Sequence, residues 1–183
     1  MLYTESRPIC LHAEQVKIGK RAHRNVYQQP TLHAADYSPL CSEGNGSMKD
    51  AVMVARPDGL THVHRMHGGC GVIAWKRMAV GEMLFGDWQS VDYNRIKPGA
   101  GSADHIQSRT EEIWFMVSGE AEIQFDGDQV HQMRPGDLLF TPQYGRHGAK
   151  NTGSEDVEML VIEVFPKSVI DVLPDHKPTE AKN

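Results

Sequence analysis

His105, Gln107 and Glu112 fall within one stretch of eight residues, His105-Ile-Gln-Ser-Arg-Thr-Glu-Glu112, and His147 follows farther along. Imidazole nitrogens, an amide oxygen and a carboxylate are donors for a divalent cation, so metal binding is the chemistry these types suggest. In a strand, residues i and i+2 face the same side, which lets His105 and Gln107 look into one interior. Glu112 joins them across a bend. His147 reaches the same point only if its strand lies beside theirs, an arrangement that an antiparallel barrel provides without a long connection.

Other histidines compete for this role. His62 and His64 share one strand face with Leu60 and Met66 and form a rival pair, but no Glu follows at suitable spacing. His12, His23, His33, His131 and His176 read as hydrogen-bonded structural residues. Glu111 faces away from Glu112 and is expected in solvent, whereas Trp114 and Met116 share the face of Glu112 and are expected to line a cavity, with plain core packing as the alternative for Trp114. Tyr144 is a candidate proton donor near the ion, although an unperturbed phenol titrates only near pH 10.

The elements that must position these residues are short. From Gly71 onward β-type segments at 72–78, 88–96, 113–117, 121–125, 130–133, 138–140 and 157–165 alternate with turn chemistry. The turns are Lys97-Pro98-Gly99, Ser118-Gly119, Asp126-Gly127, Arg134-Pro135-Gly136-Asp137 and Asn151-Thr152-Gly153, of which Asp126-Gly127 is the clearest hairpin signal. Such spacing predicts an all-β sandwich or barrel. A helical period arises only over Ser168 to Leu173, before the polar tail that begins at Pro174. Upstream, Asp50 to Ala55 reads as a strand closed by Pro57-Asp58-Gly59. Residues 1 to about 48 show no sustained period, and Gly44-Asn45-Gly46 and Gly68-Gly69 are turns, since no strand, helix and following Lys-Ser or Lys-Thr frame them as phosphate loops.

A chain of 183 residues supplies one domain, and at this size roughly 70% of the unfolded surface is buried without help from disulfides. Residues 1–67 carry eight basic and six acidic side chains and six histidines, while 68–183 carry eleven basic and eighteen acidic ones. This shift divides the chain into an extension at 1–67 that wraps the core, a β-barrel at 68–166, and a short helix and tail at 167–183. The net charge of -5 argues against nucleic acid as a partner. Cys10, Cys41 and Cys70 are odd in number and form no CxxC, which points to a reducing cytoplasm. The opening MLYTESRPIC lacks a signal-peptide core and no apolar run is long enough to span a bilayer, so neither secretion nor membrane insertion is expected. The run Leu160 to Phe165 reads as a sheet strand rather than an interaction motif, and because edge strands on such barrels often pair with a second subunit, a homodimer is expected.

Gly99-x5-His105-x-Gln107-x4-Glu112-x6-Gly119 resembles the first cupin motif, and Gly136-x5-Pro142-x4-His147-x3-Asn151 resembles the second, with 16 residues between them. The resemblance implies a single-domain cupin, a double-stranded β-helix or jelly-roll barrel, with His105, Gln107, Glu112 and His147 around a divalent ion. Over about 66–165, Met66-His67-Gly68-Gly69-Cys70-Gly71, Phe85-Gly-Asp-Trp88-Gln-Ser-Val91-Asp92-Tyr93 and Pro98-Gly99 are similar to the single-domain cupins encoded beside polyketide synthases, the tetracenomycin and spore-pigment type of cyclase-like proteins. That likeness implies a polyketide-like, β-keto or phenolic substrate that is cyclised, dehydrated or oxygenated. Two positions depart from the cupin pattern: Gln107 stands where a histidine is usual, and Tyr144 where a glycine is usual.

An amide oxygen is a harder and weaker donor than imidazole, which lowers affinity and turns preference away from zinc and copper. Without Gln107, His105, Glu112 and His147 form the two-histidine, one-carboxylate set of non-haem Fe(II) oxygenases, so Fe(II) is favoured over Zn, Ni or Mn. Two other outcomes are a non-haem Fe(II) oxygenase outside polyketide metabolism, and a ligand-binding cupin that kept its fold and lost its metal.

Overall fold

The structure is a computed structural model and describes residues 38–39, 53–125 and 129–173. In chain order its strands are β1 (Ser38–Pro39), β2 (Met53–Val54), β3 (Thr61–His64), β4 (Val72–Val80), β5 (Trp88–Ile96) and β6 (His105–Ile106), then β7 (Glu111–Ser118), β8 (Ala121–Phe125), β9 (Gln129–Met133), β10 (Leu138–Thr141), β11 (Arg146–Lys150) and β12 (Val157–Val164). Helix α1 (Lys167–Ile170) follows, shorter than the helical period over 168–173 suggests. Among the described residues, no helix is long and apolar enough to cross a membrane.

Two antiparallel sheets build the all-β body. One has six strands in the order β10-β7-β12-β5-β4-β3, the other four in the order β6-β11-β8-β9. Alternation along each strand sends one set of side chains between the sheets. There Ile73, Ile96, Met116, Ile123, Met133, Val157 and Met159 are buried. Because the side-chain period is two, these positions also fix the register: β12 pairs with β5 through Val157↔Ile96 and with β7 through Met159↔Met116.

Turn chemistry acts where the sequence places it. Asn151, fully buried, donates from Nδ2 to the carbonyls of Ile96 (2.8 Å) and Glu155 (2.7 Å) and accepts from the Gly153 amide at 2.9 Å, so it ties the end of β11 to β5. Gly119 has φ +76, and a Cβ there would lie 2.7 Å from the Asp156 carbonyl oxygen. Only glycine accommodates both demands.

Strands β3, β6 and β11 go beyond the segments the apolar pattern identified. Arg-His-Gly-Ala-Lys in β11 carries no alternation to read, and β6 is two residues long. Strand β3 falls inside the stretch assigned to a wrapping extension, yet it pairs with β4 through Thr61↔Trp75 and Val63↔Ile73 and so forms an edge of the large sheet. Strands β8 and β9 pair from Phe125↔Gln129, as a hairpin there requires. The Asp126-Gly127 turn itself, the remainder of the expected extension with Cys10, Cys41, His12, His23, His33 and Gly44-Asn45-Gly46, and the tail from Pro174 with His176 lie outside the described residues.

Candidate functional site

Strands β6 and β11 run antiparallel with His147 directly opposite His105, and the two imidazole centroids are 4.7 Å apart, edge to face. The His105 Nδ1–H donates to the Ala103 carbonyl at 3.0 Å. Fixing that tautomer leaves Nε2 as the ring's lone-pair donor. Burial pushes the His105 pKa below its ordinary value, and His147 beside it acts in the same direction. His147 is fully buried; its Nδ1 lies 2.6 Å from the Thr141 hydroxyl. Its Nε2 is buried without a hydrogen bond, although Glu112 Oε2 stands 3.1 Å away.

Glu112 is the hub of the opposing sheet. Its Oε2 accepts from the Trp114 indole N–H at 2.6 Å, and its Oε1 accepts from the Gln107 amide. Directly across the β7–β12 ladder stands Glu163. Burial raises its pKa to about 8, and the carboxylates of Glu112 and Asp92 add to the rise, so near neutral pH Glu163 holds its proton. The Gln89 amide donates to Glu163 Oε2.

A cavity of about 370 Å³ opens between the sheets, lined by every second residue of five strands: Thr61 and Val63, Ile73, Trp75 and Arg77, Asp92, Asn94 and Ile96, Glu112 and Trp114, and Met159, Val161 and Glu163. Met66, His67, Ser102, His105 and Ala149 complete it. Away from the histidines, Arg77 forms a two-point ion pair with Asp92 (2.9 and 3.1 Å), whose Oδ2 also accepts from the Trp75 indole at 3.1 Å. At 11% and 6% side-chain exposure this pair is screened from water. The buried Asn94 Oδ1 has no hydrogen-bond partner.

The structure brings His105, Gln107, Glu112 and His147 together and puts Trp114 on the cavity wall. Met116 shares the inward face as parity requires but lies fully buried in the core below the cavity. Tyr144 does not reach the site: it is 69% exposed, with φ 68 in the turn before β11. A side chain at a left-handed turn position points off the barrel, and the Gly145 that follows is where the Cβ would clash, 2.7 Å from Thr141 Cγ2. His62 and His64 are exposed on the outer face of β3, the opposite parity from Thr61 and Val63, so the rival pair has no cavity to serve. Glu111 is exposed, as expected. Among the described residues, no three His, Cys, Asp or Glu side chains are placed to hold one ion between them. Glu112 is instead turned toward Gln107 and Trp114.

Sequence reasoning missed His67, Glu163 and the Trp75–Arg77–Asp92 cluster. Glu163 left a signal, an acid inside the apolar run Leu160 to Phe165. Strand β5 misleads: its apolar Val91 and Tyr93 take the outward parity, and its polar Ser90, Asp92 and Asn94 take the inward one. Such an inversion occurs where a strand lines a polar-ended cavity.

Residues 93–163 match the family model for the cupin domain. An oxalate-binding protein of Thermotoga maritima is 25% identical over 115 residues, which span 62% of this chain and 94% of that protein. Protein SchB of Streptomyces halstedii is 33% identical over 67 residues, covering 37% of this chain and 46% of SchB, so the match spans less than half of that relative. The crystal structure of a predicted oxalate decarboxylase from Thermotoga maritima superposes with a TM-score of 0.59 at 24% identity, over 62% of this chain and all of that one. The fold is therefore an all-β cupin fold, with the match to the cupin-domain model confined to residues 93–163.

Proposed function

We propose that this chain is a metal-dependent cupin enzyme acting on a small organic substrate with a keto or phenolic oxygen, polyketide-like in character, by cyclisation, dehydration or oxygenation. The observation that carries the reading is the cavity. His105 and Glu112 line it, with His147 buried directly behind them, and its walls of Trp75, Trp114, Met66, Met159 and Val161 suit a flat apolar body. The buried Nε2 of His147, which makes no hydrogen bond and faces Glu112 Oε2 at 3.1 Å, fits a site that takes a cation. Side-chain rotation of Glu112 away from Gln107 is what the donor set requires to converge.

A divalent ion there, Fe(II) by the two-histidine and carboxylate set, with Zn, Ni or Mn as alternatives, would polarise a substrate oxygen as a Lewis acid, and iron would add redox chemistry. The protein's own groups supply the rest. His105 and His147 are the imidazole donors, each held by its second nitrogen. Glu163, protonated near neutral pH, is a hydrogen-bond donor beside Glu112. The apolar walls exclude water from the reacting centre.

Oxalate, for which the Thermotoga relative is named, suits this cavity poorly. Asp92 and Glu112 line it and Arg77 is engaged by Asp92, so a small dianion meets the Glu112 carboxylate, no free guanidinium and a space larger than itself. A second reading, ligand binding without chemistry, is favoured by the Gln107–Glu112 hydrogen bond, which occupies the carboxylate.

Tryptophan fluorescence of Fe(II)-loaded and chelator-treated protein, titrated with an aromatic 1,3-diketone and with oxalate, tests the proposal. Quenching by the diketone that needs the ion, with oxalate weaker, supports it. Diketone binding that ignores the ion supports the second reading instead, and a preference for oxalate overturns the substrate class.

A further inference from the structure

The donors carried by the two motifs leave the centre one imidazole short, because position 107 is a glutamine. A third imidazole nevertheless stands at the site. The ring of His67 stacks on that of His105, with centroids 3.8 Å apart and planes within 10°, and it lines the cavity with His105 and Glu112. The residue is exposed to solvent.

The backbone carrying it is held in place against its own preference. His67 has φ 52 and ψ 26, and Arg65, two residues earlier, has φ 52 and ψ 50. Residues with side chains in this region are strained and persist where the surroundings over-determine them, often at ligand clamps. The surroundings here are specific. The Arg65 amide donates to the Gly71 carbonyl at 3.0 Å, and Cys70 and Gly101 exchange amide-to-carbonyl bonds of 3.0 and 2.9 Å. A Cβ on Gly69 would fall 2.1 Å from the Gly101 oxygen and 2.7 Å from the Ala103 nitrogen. The turn at 65–71 is thereby seated on the segment that leads into His105.

We infer that His67 is a further metal-ligating residue, supplying from outside both motifs the imidazole that Gln107 does not. The inference rests on the divalent-ion reading above. Two stacked rings do not address one point, so engagement turns the His67 ring off His105 about its own side-chain bonds while the pinned backbone stays as it is. The Nε2 of fully buried His147 makes no hydrogen bond and stands 3.1 Å from Glu112 Oε2, a second feature of the site that suits a cation.

The test uses the full chain, stripped with chelator and reloaded with Cu(II) as a spectroscopic probe, then with Fe(II) for affinity. His67→Asn is the variant of choice, because asparagine tolerates positive φ and the turn survives. His62→Asn, on the outer face of β3, is its control. The wild type is expected to show three imidazole nitrogens in the Cu(II) electron paramagnetic spectrum and His67→Asn two, with affinity lowered roughly 10- to 100-fold and His62→Asn unchanged. A wild type that loads but shows only two nitrogens, or a His67→Asn protein that keeps all three, overturns the inference and leaves the metal reading standing. A wild type that binds neither ion overturns both.

Discussion

Replacing Gln107 by histidine adds an imidazole where the first motif usually has one and removes the amide that now bonds Glu112. Gln107→His is expected to bind divalent ions more tightly and to move preference toward zinc and copper, which titration calorimetry with each ion would register. A second residue-scale expectation concerns Asp92, which Arg77 and the Trp75 indole both bond. Asp92→Ala leaves a buried guanidinium without its carboxylate, and loss of one partner of such a pair costs about 3–5 kcal/mol; urea unfolding measures it. The four candidate ligands were legible because their spacing is stereotyped. His67 was not, since nothing in its neighbours announces a stacked ring that depends on a turn being seated 30-odd residues away against Gly101 to Ala103. Tyr144 was misjudged because sequence alone does not reveal on which side of a turn a phenol emerges.

At the scale of elements, the strands with apolar runs and flanking turn residues were readable, and Asn151 and Gly119 show why: the turn chemistry has a local cause. Strands β6 and β11 were not, because their pairing is imposed by neighbours on both sheets. Gly119→Ala is expected to destabilise the fold by about 1–3 kcal/mol, since its Cβ meets the Asp156 carbonyl at positive φ; thermal unfolding checks it. Across β5 and β12, Glu158 accepts from Arg95 at 2.9 Å. Its pKa is lowered chiefly by hydrogen bonding with Tyr93 and with Arg95, against the opposing effect of burial. A carboxylate with a depressed folded pKa contributes stability above its unfolded value and loses it as pH falls through the folded one. The stability advantage of wild type over Glu158→Gln is therefore expected at neutral pH and should vanish in acid, below the ordinary carboxylate range. Equal pH profiles for the two proteins would contradict that coupling.

For the whole molecule, fold class followed from composition and turn spacing, but the inside and outside of β5 did not, because cavity walls invert the usual rule that apolar side chains face the core. The outer sheet face is apolar at β10 and β7. Leu138 and Phe140 are 53% and 66% exposed, and Leu138 pairs directly with Phe115, itself exposed. The homodimer expected from the sequence would bury this face, and Phe140→Asp is then expected to lower the mass read by light scattering from that of a dimer to that of a monomer. Above these features stands the claim that the cavity floor is a metal centre. Elemental analysis of protein purified without a metal-affinity tag, with His105→Ala beside it, tests that claim most directly. The account predicts near-stoichiometric divalent metal in the wild type and its loss in the variant. A wild type that comes out empty and refuses added Fe(II), Zn(II), Ni(II) and Mn(II) would contradict it.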